Sequence, residues 1–146
     1  MAELTGNNYQ TAIDWHRAVV GGQDLILRRV SALEYLQLFC GYANGNHIEV
    51  YAKQQGSIDT IQYHVVDTFD NIDHVRIGNV LCTSISQTVN DLLSDIDNID
   101  EQPLVEGLNC YFHTHNKNFD SLYIKPENRE RFDRIRDWAI EYYDEV

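Results

Sequence analysis

The spacing of apolar residues changes along the 146-residue chain, and this change is the strongest constraint on its fold. Residues 12–20 have helical spacing, residues 47–83 alternate between apolar and polar side chains, and helical spacing returns from Ser84 onward. The turn signals QQGS and Gly78-Asn79 divide the alternating part into short strands. An order of helices, then strands, then helices is typical of an α+β domain. We therefore predict a small antiparallel sheet of three or four strands, flanked by N-terminal and C-terminal helices.

Helix boundaries are indicated by glycine, proline and capping residues. Gly21-Gly22 ends the first helix, and Ser31 with Glu34 forms a capping box for a second helix that Gly41 or Gly45 ends. The third helix is predicted to begin at a serine or threonine that accepts a hydrogen bond from its first turn. The candidates for this cap are Thr83, Ser84 and Ser86. Pro103 and Pro126 suit the first turns of two later helices.

Length and composition favour one folded domain. A chain of 146 residues with 43% hydrophobic residues and two prolines can bury a single core, so we predict one domain over residues 1–146, with residues 1–10 flexible. Cys40, Cys82 and Cys110 are widely spaced in apolar sequence, which is typical of reduced thiols. The sequence has no signal-like start and no apolar run long enough to span a bilayer. A cytoplasmic protein is expected.

The charge of the chain predicts its kind of partner. There are 23 acids against 11 bases, and the resulting net charge of −12 disfavours direct binding to nucleic acid or membrane. The acids concentrate on and after the third helix, where they form a candidate surface for a basic protein. The predicted partner-binding residues are Asp91, Asp95, Asp97, Asp100, Glu101 and Glu106. We predict no catalytic residues, no metal site and no cofactor.

Two alternatives remain open at this stage. His113 and His115 would project from one side of an extended segment, and together with carboxylates they would suit a small metal-dependent hydrolase or nuclease. Glu49 and Lys53 lie on one face of a predicted strand, as a magnesium-dependent nuclease would need. The second alternative is a phage-encoded acidic DNA mimic that inhibits a defence nuclease.

The order of elements resembles a known family. A helix with SALEYL is followed by the strand HIEVYAK, and then by HVRIGNVLCTS, which leads directly into the helix SISQTVNDLL. This arrangement resembles the C-terminal domain of AbiEi-type antitoxins, from abortive-infection toxin-antitoxin pairs. The helix of that family reads D-x-x-R-T-L-L-D-L-L. Its matching positions here are Thr88, Asp91, Leu92 and Leu93, with Gln87 where the family has arginine.

The resemblance covers residues 25–145 and implies a setting in toxin-antitoxin or phage-defence systems on mobile elements. Family members carry a winged-helix DNA-binding domain ahead of this region, whereas here about 25 residues precede it. Promoter binding therefore does not carry over. The resemblance implies a stand-alone, non-enzymatic binding module that neutralises a basic partner. That partner would be a nucleotidyltransferase-like toxin or another nucleic-acid-processing enzyme.

Overall fold

The computed structural model describes residues 11–39 and 47–142. Helices α1 and α2 alternate with the first strand, four further strands follow, and three longer helices complete this part of the chain. The elements are α1 Ala12–Val20, β1 Leu25–Leu27, α2 Arg29–Tyr35, β2 Ile48–Ala52, β3 Ile61–Val65, β4 His74–Ile77, β5 Val80–Thr83, α3 Ile85–Ser94, α4 Gln102–Thr114 and α5 Arg129–Ile140. Short 3₁₀ turns at Ile96–Asn98 and Pro126–Asn128 precede α4 and α5.

The fold is α+β, but the predicted sheet is wrong in size and in direction. The strands form a five-stranded mixed sheet in the order β3-β2-β1-β5-β4. β1 pairs antiparallel with β2 and parallel with β5, while β2 and β3 run parallel. Of the predicted turns, only Gly78-Asn79 forms a hairpin, between β4 and β5. The sheet is therefore not a small antiparallel sheet of three or four strands.

Two features of the sequence explain this error. The central strand β1 is the short run Leu25-Ile26-Leu27, which is buried on both faces and shows no alternation. The connection between β2 and β3, at residues 53–60, returns the chain to the end of the sheet where β2 begins. β3 therefore runs parallel to β2 and does not form a hairpin with it. Alternation fixes which face a side chain occupies but not the direction of its strand, and Gly56 suits either a hairpin or a return loop.

The first two helices show where a capping pattern works and where it misleads. α1 begins after Thr11, whose Oγ1 accepts a hydrogen bond from the Asp14 N–H at 3.0 Å, and it ends at Gly21. α2 begins at Arg29, so the predicted capping box is wrong. Ser31 lies inside the helix, where its Oγ accepts a hydrogen bond from the backbone N–H of Glu49 at 2.9 Å.

Some predictions concern residues outside the described part of the chain. These are the flexibility of residues 1–10, the packing of Cys40, and the end of the second helix at Gly41 or Gly45. Within the described part, α2 already ends at Tyr35.

Helix α2 lies between two hydrophobic cores. On one side, Ala32 and Tyr35 pack with α1 and with the sheet face that carries Leu27, Val50 and Cys82. On the other side, Val30 and Leu33 pack with α3, α4 and α5, together with Phe132 and Leu104. All residues of α2 after Arg29 are buried, and the helix joins the sheet to the helical part of the molecule.

The opposite face of the sheet carries a smaller apolar cluster. Ile26, Tyr51 and Phe69 are buried there, and Leu81 packs against them. Beyond this cluster, α3 lies against β2, because the Tyr51 hydroxyl donates a hydrogen bond to Asp91. This arrangement brings polar residues of β2, α2 and α3 together.

Candidate functional site

Trp138 and two of the predicted acids line a groove of about 230 Å³, here called the Trp138 groove. It lies between α5 and the connection from α3 to α4. Its lining consists of Ile96, Asp97, Glu101, Arg131, Arg134, Ile135 and Trp138. The Trp138 side chain is 44% exposed, and its ring centroid lies 6.4 Å from that of Tyr142. Exposed tryptophan beside arginine is typical of protein-binding hot spots.

The charges of the Trp138 groove are only partly neutralised inside the molecule. The Arg131 guanidinium donates to Asn128 Oδ1 at 3.0 Å, whereas the Arg134 side chain makes no ion pair or hydrogen bond with a described residue. Asp97 is exposed and Glu101 is half-buried. Both carboxylates therefore remain accessible to a cationic partner.

The remaining predicted acids are distributed over several elements. Asp100 is exposed at the start of α4, where its Oδ1 accepts from the Gln102 N–H at 3.1 Å. Glu106 is half-buried on α4. Asp91 and Asp95 lie on α3 and at its end, and both contact residues of the sheet side. The six acids are thus divided between α3, the turn that follows it and α4.

Asp91 is held by two side chains, one from β2 and one from α3 itself. The Tyr51 hydroxyl donates to Asp91 Oδ2 at 2.7 Å, and Gln87 Nε2 donates to Asp91 Oδ1 at 2.9 Å. Burial, reinforced by the negative charge of Asp91, raises the pKa of Tyr51 to about 12. The phenol is consequently a neutral hydrogen-bond donor at physiological pH, and Asp91 has a structural role.

Asp95 belongs to a second set of contacts around Arg29. The Arg29 guanidinium lies 3.4 Å from Asp95 Oδ2 and 3.7 Å from Glu49 Oε1. Arg29 has a left-handed backbone with φ of 53°, which is uncommon for a residue with a side chain. The two carboxylates are therefore linked through a strained residue at the start of α2.

Arg28 lies over the Tyr51 ring at 4.6 Å from its centroid, a cation-π contact. Its Nε is buried and has no hydrogen-bond partner among the described residues, and the same is true of Arg29 Nε. On β3, His64 contacts Tyr51 edge-on at 5.4 Å between ring centroids. Burial and the nearby Arg28 lower the pKa of His64, so its imidazole is neutral at physiological pH. This arrangement holds α2, β2 and α3 together.

The histidine pair lies at the end of α4 and not on an extended segment. His113 is exposed in the last turn, whereas the ring of His115 stacks on Tyr111 with 3.8 Å between centroids. His115 Nδ1 also lies 2.9 Å from the Tyr111 carbonyl oxygen. Among residues 11–39 and 47–142, no group of three or more His, Cys, Asp or Glu side chains could hold a metal ion.

Glu49 and Lys53 contact different partners at the two ends of β2. Glu49 lies beside Arg29, whereas Lys53 Nζ is 3.1 Å from Asp24 Oδ2 and 4.8 Å from the centre of the Phe69 ring. Glu49 is paired in a largely buried contact and Lys53 in an exposed one. The pair therefore has no converging carboxylates of the kind that a magnesium-dependent nuclease uses.

The serine and threonine residues before α3 have structural partners. Ser84 is the N-cap, and its Oγ accepts from the Gln87 N–H at 3.1 Å. Thr83 and Thr88 are buried with 2.6 Å between their hydroxyl oxygens. Ser86 Oγ accepts from the Tyr123 N–H at 3.0 Å. These contacts start the helix and attach it to the segment before α5.

Sequence reasoning missed the contacts of Arg28, Arg29 and Tyr51 and the exposure of Trp138. A usable signal was present for the arginines, because two adjacent cations follow the apolar run of β1 and precede a buried helix. Charged residues in such a position are expected to have partners.

No protein-family model matches the sequence, and no curated protein is significantly similar to it. Across the part of the chain that the structure describes, none of the helices has the length and apolar character needed to cross a bilayer.

Proposed function

We propose that the protein is a non-enzymatic binding module that neutralises a basic partner protein through the Trp138 groove. The exposure of Trp138 beside Asp97 and Glu101 carries this proposal. A large aromatic side chain gains most from burial in a complex, and the two carboxylates beside it can form ion pairs with cations of the partner. The net charge of −12 adds long-range attraction to such a protein.

The predicted acids contribute to this function in two ways. Asp97 and Glu101 contact the partner directly, because they line the groove, and the exposed Asp100 precedes Glu101 in the chain and adds to the charge there. Asp91 and Asp95 act indirectly, because they hold α3 against Tyr51 and Arg29. Glu106 adds to the negative potential from α4.

The resemblance to AbiEi-type antitoxins supports a nucleotidyltransferase-like toxin as the partner, in the cytoplasm of a host that carries the pair on a mobile element. The mechanism is occlusion. The carboxylates of the groove compete for the cationic site where the toxin holds phosphate, and Trp138 anchors the complex.

The test is a titration of a purified nucleotidyltransferase-like toxin from an AbiEi-type pair. We expect Trp138→Ala to weaken binding at least tenfold, because the central apolar anchor is lost. Asp97→Asn with Glu101→Gln should weaken binding and flatten its dependence on salt, because two interfacial charges are removed.

The matched control is Asp67→Asn with Asp70→Asn, which removes the same charge from an exposed loop beside the sheet. It should leave the affinity within about twofold of the unmodified protein, since screened distant charges contribute little. Equal losses of affinity in both double variants would show that the interaction depends on net charge and not on the groove. Undiminished binding by Trp138→Ala would exclude the groove as the interface.

A further inference from the structure

A second cavity lies at the other end of α4, between the segment after that helix and α5. It has a volume of about 420 Å³, within the range of small-molecule sites. We call it the Phe119 pocket. Phe112, Phe119 and Phe132 line it, and Lys117, Arg129, Arg136 and Asp120 provide its charged groups. It shares no lining residue with the Trp138 groove.

The apolar part of the Phe119 pocket consists of three phenylalanine rings in contact. The Phe119 centroid lies 5.3 Å from that of Phe112 and 5.3 Å from that of Phe132. The Arg129 guanidinium lies over the Phe132 ring at 5.4 Å from its centroid. Phe132 is buried behind Phe119, whereas Phe112 and Phe119 are half-buried. A planar ligand can therefore pack on Phe112 and Phe119 and against the guanidinium plane of Arg129.

The charged part of the Phe119 pocket is cationic in a strongly acidic protein. Lys117, Arg129 and Arg136 outnumber Asp120, which gives the lining a formal charge of about +2 when the groups are ionised as usual. The side chains of Lys117 and Arg136 make no ion pair or hydrogen bond with a described residue. Arg129 has an exposed ion pair with Asp133 at 3.5 Å, which is too weak to prevent binding of an anion.

Lys117 is held at the rim by an unusual turn. Asn116 and Lys117 both have left-handed backbones, with φ of 60° and 57°. The Lys117 N–H donates to the Phe112 carbonyl oxygen at 2.9 Å. The turn ends α4 and brings Lys117 into the same pocket as Arg136 of α5.

We propose that the Phe119 pocket binds a nucleoside monophosphate. The phosphate, which carries close to two negative charges at neutral pH, lies between Lys117 and Arg136. The base packs on Phe112 and Phe119, and Asp120 accepts a hydrogen bond from an exocyclic amine. Aromatic surface, excess positive charge and a single carboxylate match the three parts of this ligand.

Isothermal titration with AMP, GMP, CMP and UMP tests the proposal, with adenosine and ribose 5-phosphate as partial ligands. At least one of the four nucleotides should bind, and adenosine and ribose 5-phosphate should each bind at least tenfold more weakly than the best of them. Lys117→Gln with Arg136→Gln should weaken nucleotide binding at least tenfold. Both side chains are exposed, so the fold should be retained.

The matched control is Arg134→Gln, which removes an exposed cation from the same helix outside the pocket. It should leave nucleotide binding unchanged, and so should Trp138→Ala. A failure of the nucleotide proposal can therefore be distinguished from a failure of the proposed partner interface. Absence of binding for all four nucleotides at millimolar concentration would overturn the proposal. So would ribose 5-phosphate binding as tightly as the nucleotides, or equal losses in Arg134→Gln and the double variant.

Discussion

His16 and Glu34 show how one polar contact can fix the position of two helices. His16 Nε2 lies 3.1 Å from Glu34 Oε1, and the two side chains are 0% and 1% exposed. The other polar atoms, His16 Nδ1 and Glu34 Oε2, have no hydrogen-bond partner among the described residues. Apolar residues would avoid this desolvation cost. The pair instead restricts α1 and α2 to the register in which these two atoms meet.

Tyr51 provides a prediction about pH. An unfolded tyrosine ionises near pH 10, whereas folding raises the pKa of Tyr51 to about 12. Between these values the unfolded chain loses this proton and the folded chain keeps it, so the free energy of unfolding falls as pH rises. Tyr51→Phe lacks this group, and its free energy of unfolding should fall less steeply between pH 10 and pH 12. Urea denaturation at a series of pH values measures both slopes.

Cys82 titrates in the same alkaline region, because burial raises its pKa from 9.0 to about 12. It is present in both proteins, so the difference between them isolates Tyr51. Below pH 10, Tyr51→Phe should be less stable by about 1 kcal/mol, the usual value of a lost hydrogen bond. Two curves that stay parallel up to pH 12 would contradict the assignment.

The ends of the helices provide a second prediction, at Gln37. This residue follows α2 with a left-handed backbone, φ of 63°, and is exposed. Glycine adopts this conformation without the steric cost that other residues incur. Gln37→Gly should therefore raise the free energy of unfolding by about 0.5 to 1 kcal/mol, as measured by chemical denaturation.

The control for Gln37→Gly is Gln55→Gly, which places glycine at an exposed loop position without a left-handed backbone. It should be neutral or slightly destabilising, because glycine gains more freedom in the unfolded chain. A loss of stability in Gln37→Gly as large as in Gln55→Gly would show that φ at residue 37 is not positive in solution.

Elements with one exposed face were predicted closely from the sequence, whereas fully buried elements were predicted with errors or not at all. α1 and α3 have apolar stripes, polar outer faces and hydroxyl caps at Thr11 and Ser84, and both begin close to the predicted positions. β1 is apolar throughout and has no period to detect, so this strand was not predicted. α2 is buried on all sides and was predicted as a helix with the wrong first residue. Because β1 was not predicted, the sequence also provided no indication that β2 and β5 pair with it, or in which direction.

The candidate site was only partly predictable for a related reason. The sequence shows where charges lie but not which partners reach them from distant segments. Asp91 and Asp95 were expected on a free outer face, yet Tyr51 and Arg29 reach them from β2 and α2. Asp97 and Glu101 lie beside Trp138 because α5 packs on α4, and long-range packing of this kind leaves no local signal.

The sharing of α2 between two cores predicts cooperative unfolding of the entire fold. Residues of this helix contribute to both the sheet core and the helical core, so neither part is complete without it. The two tryptophans of the chain report on different parts, since Trp15 is buried in the sheet core and Trp138 lies on α5. Trp15→Phe and Trp138→Phe each leave a single fluorescent probe.

In each variant, the fluorescence transition in urea should have the same midpoint as the far-UV circular dichroism transition of that variant. Coincidence of local and global probes is the signature of two-state unfolding. The tryptophan-to-phenylalanine change itself can shift stability, so the comparison is made within each protein. Separate midpoints would show that the sheet and the helices unfold independently.

The pairing of strand β1 also constrains the order in which the strands of the sheet can assemble. Its three residues pair with β2 on one side and with β5 on the other, and β5 ends at Thr83. During synthesis, the central strand β1 therefore leaves the ribosome before β2 and β5, and it cannot pair on both sides until both strands have been made. Until then the apolar run Leu25-Ile26-Leu27 is available to chaperones, and contacts so distant in sequence favour slow folding.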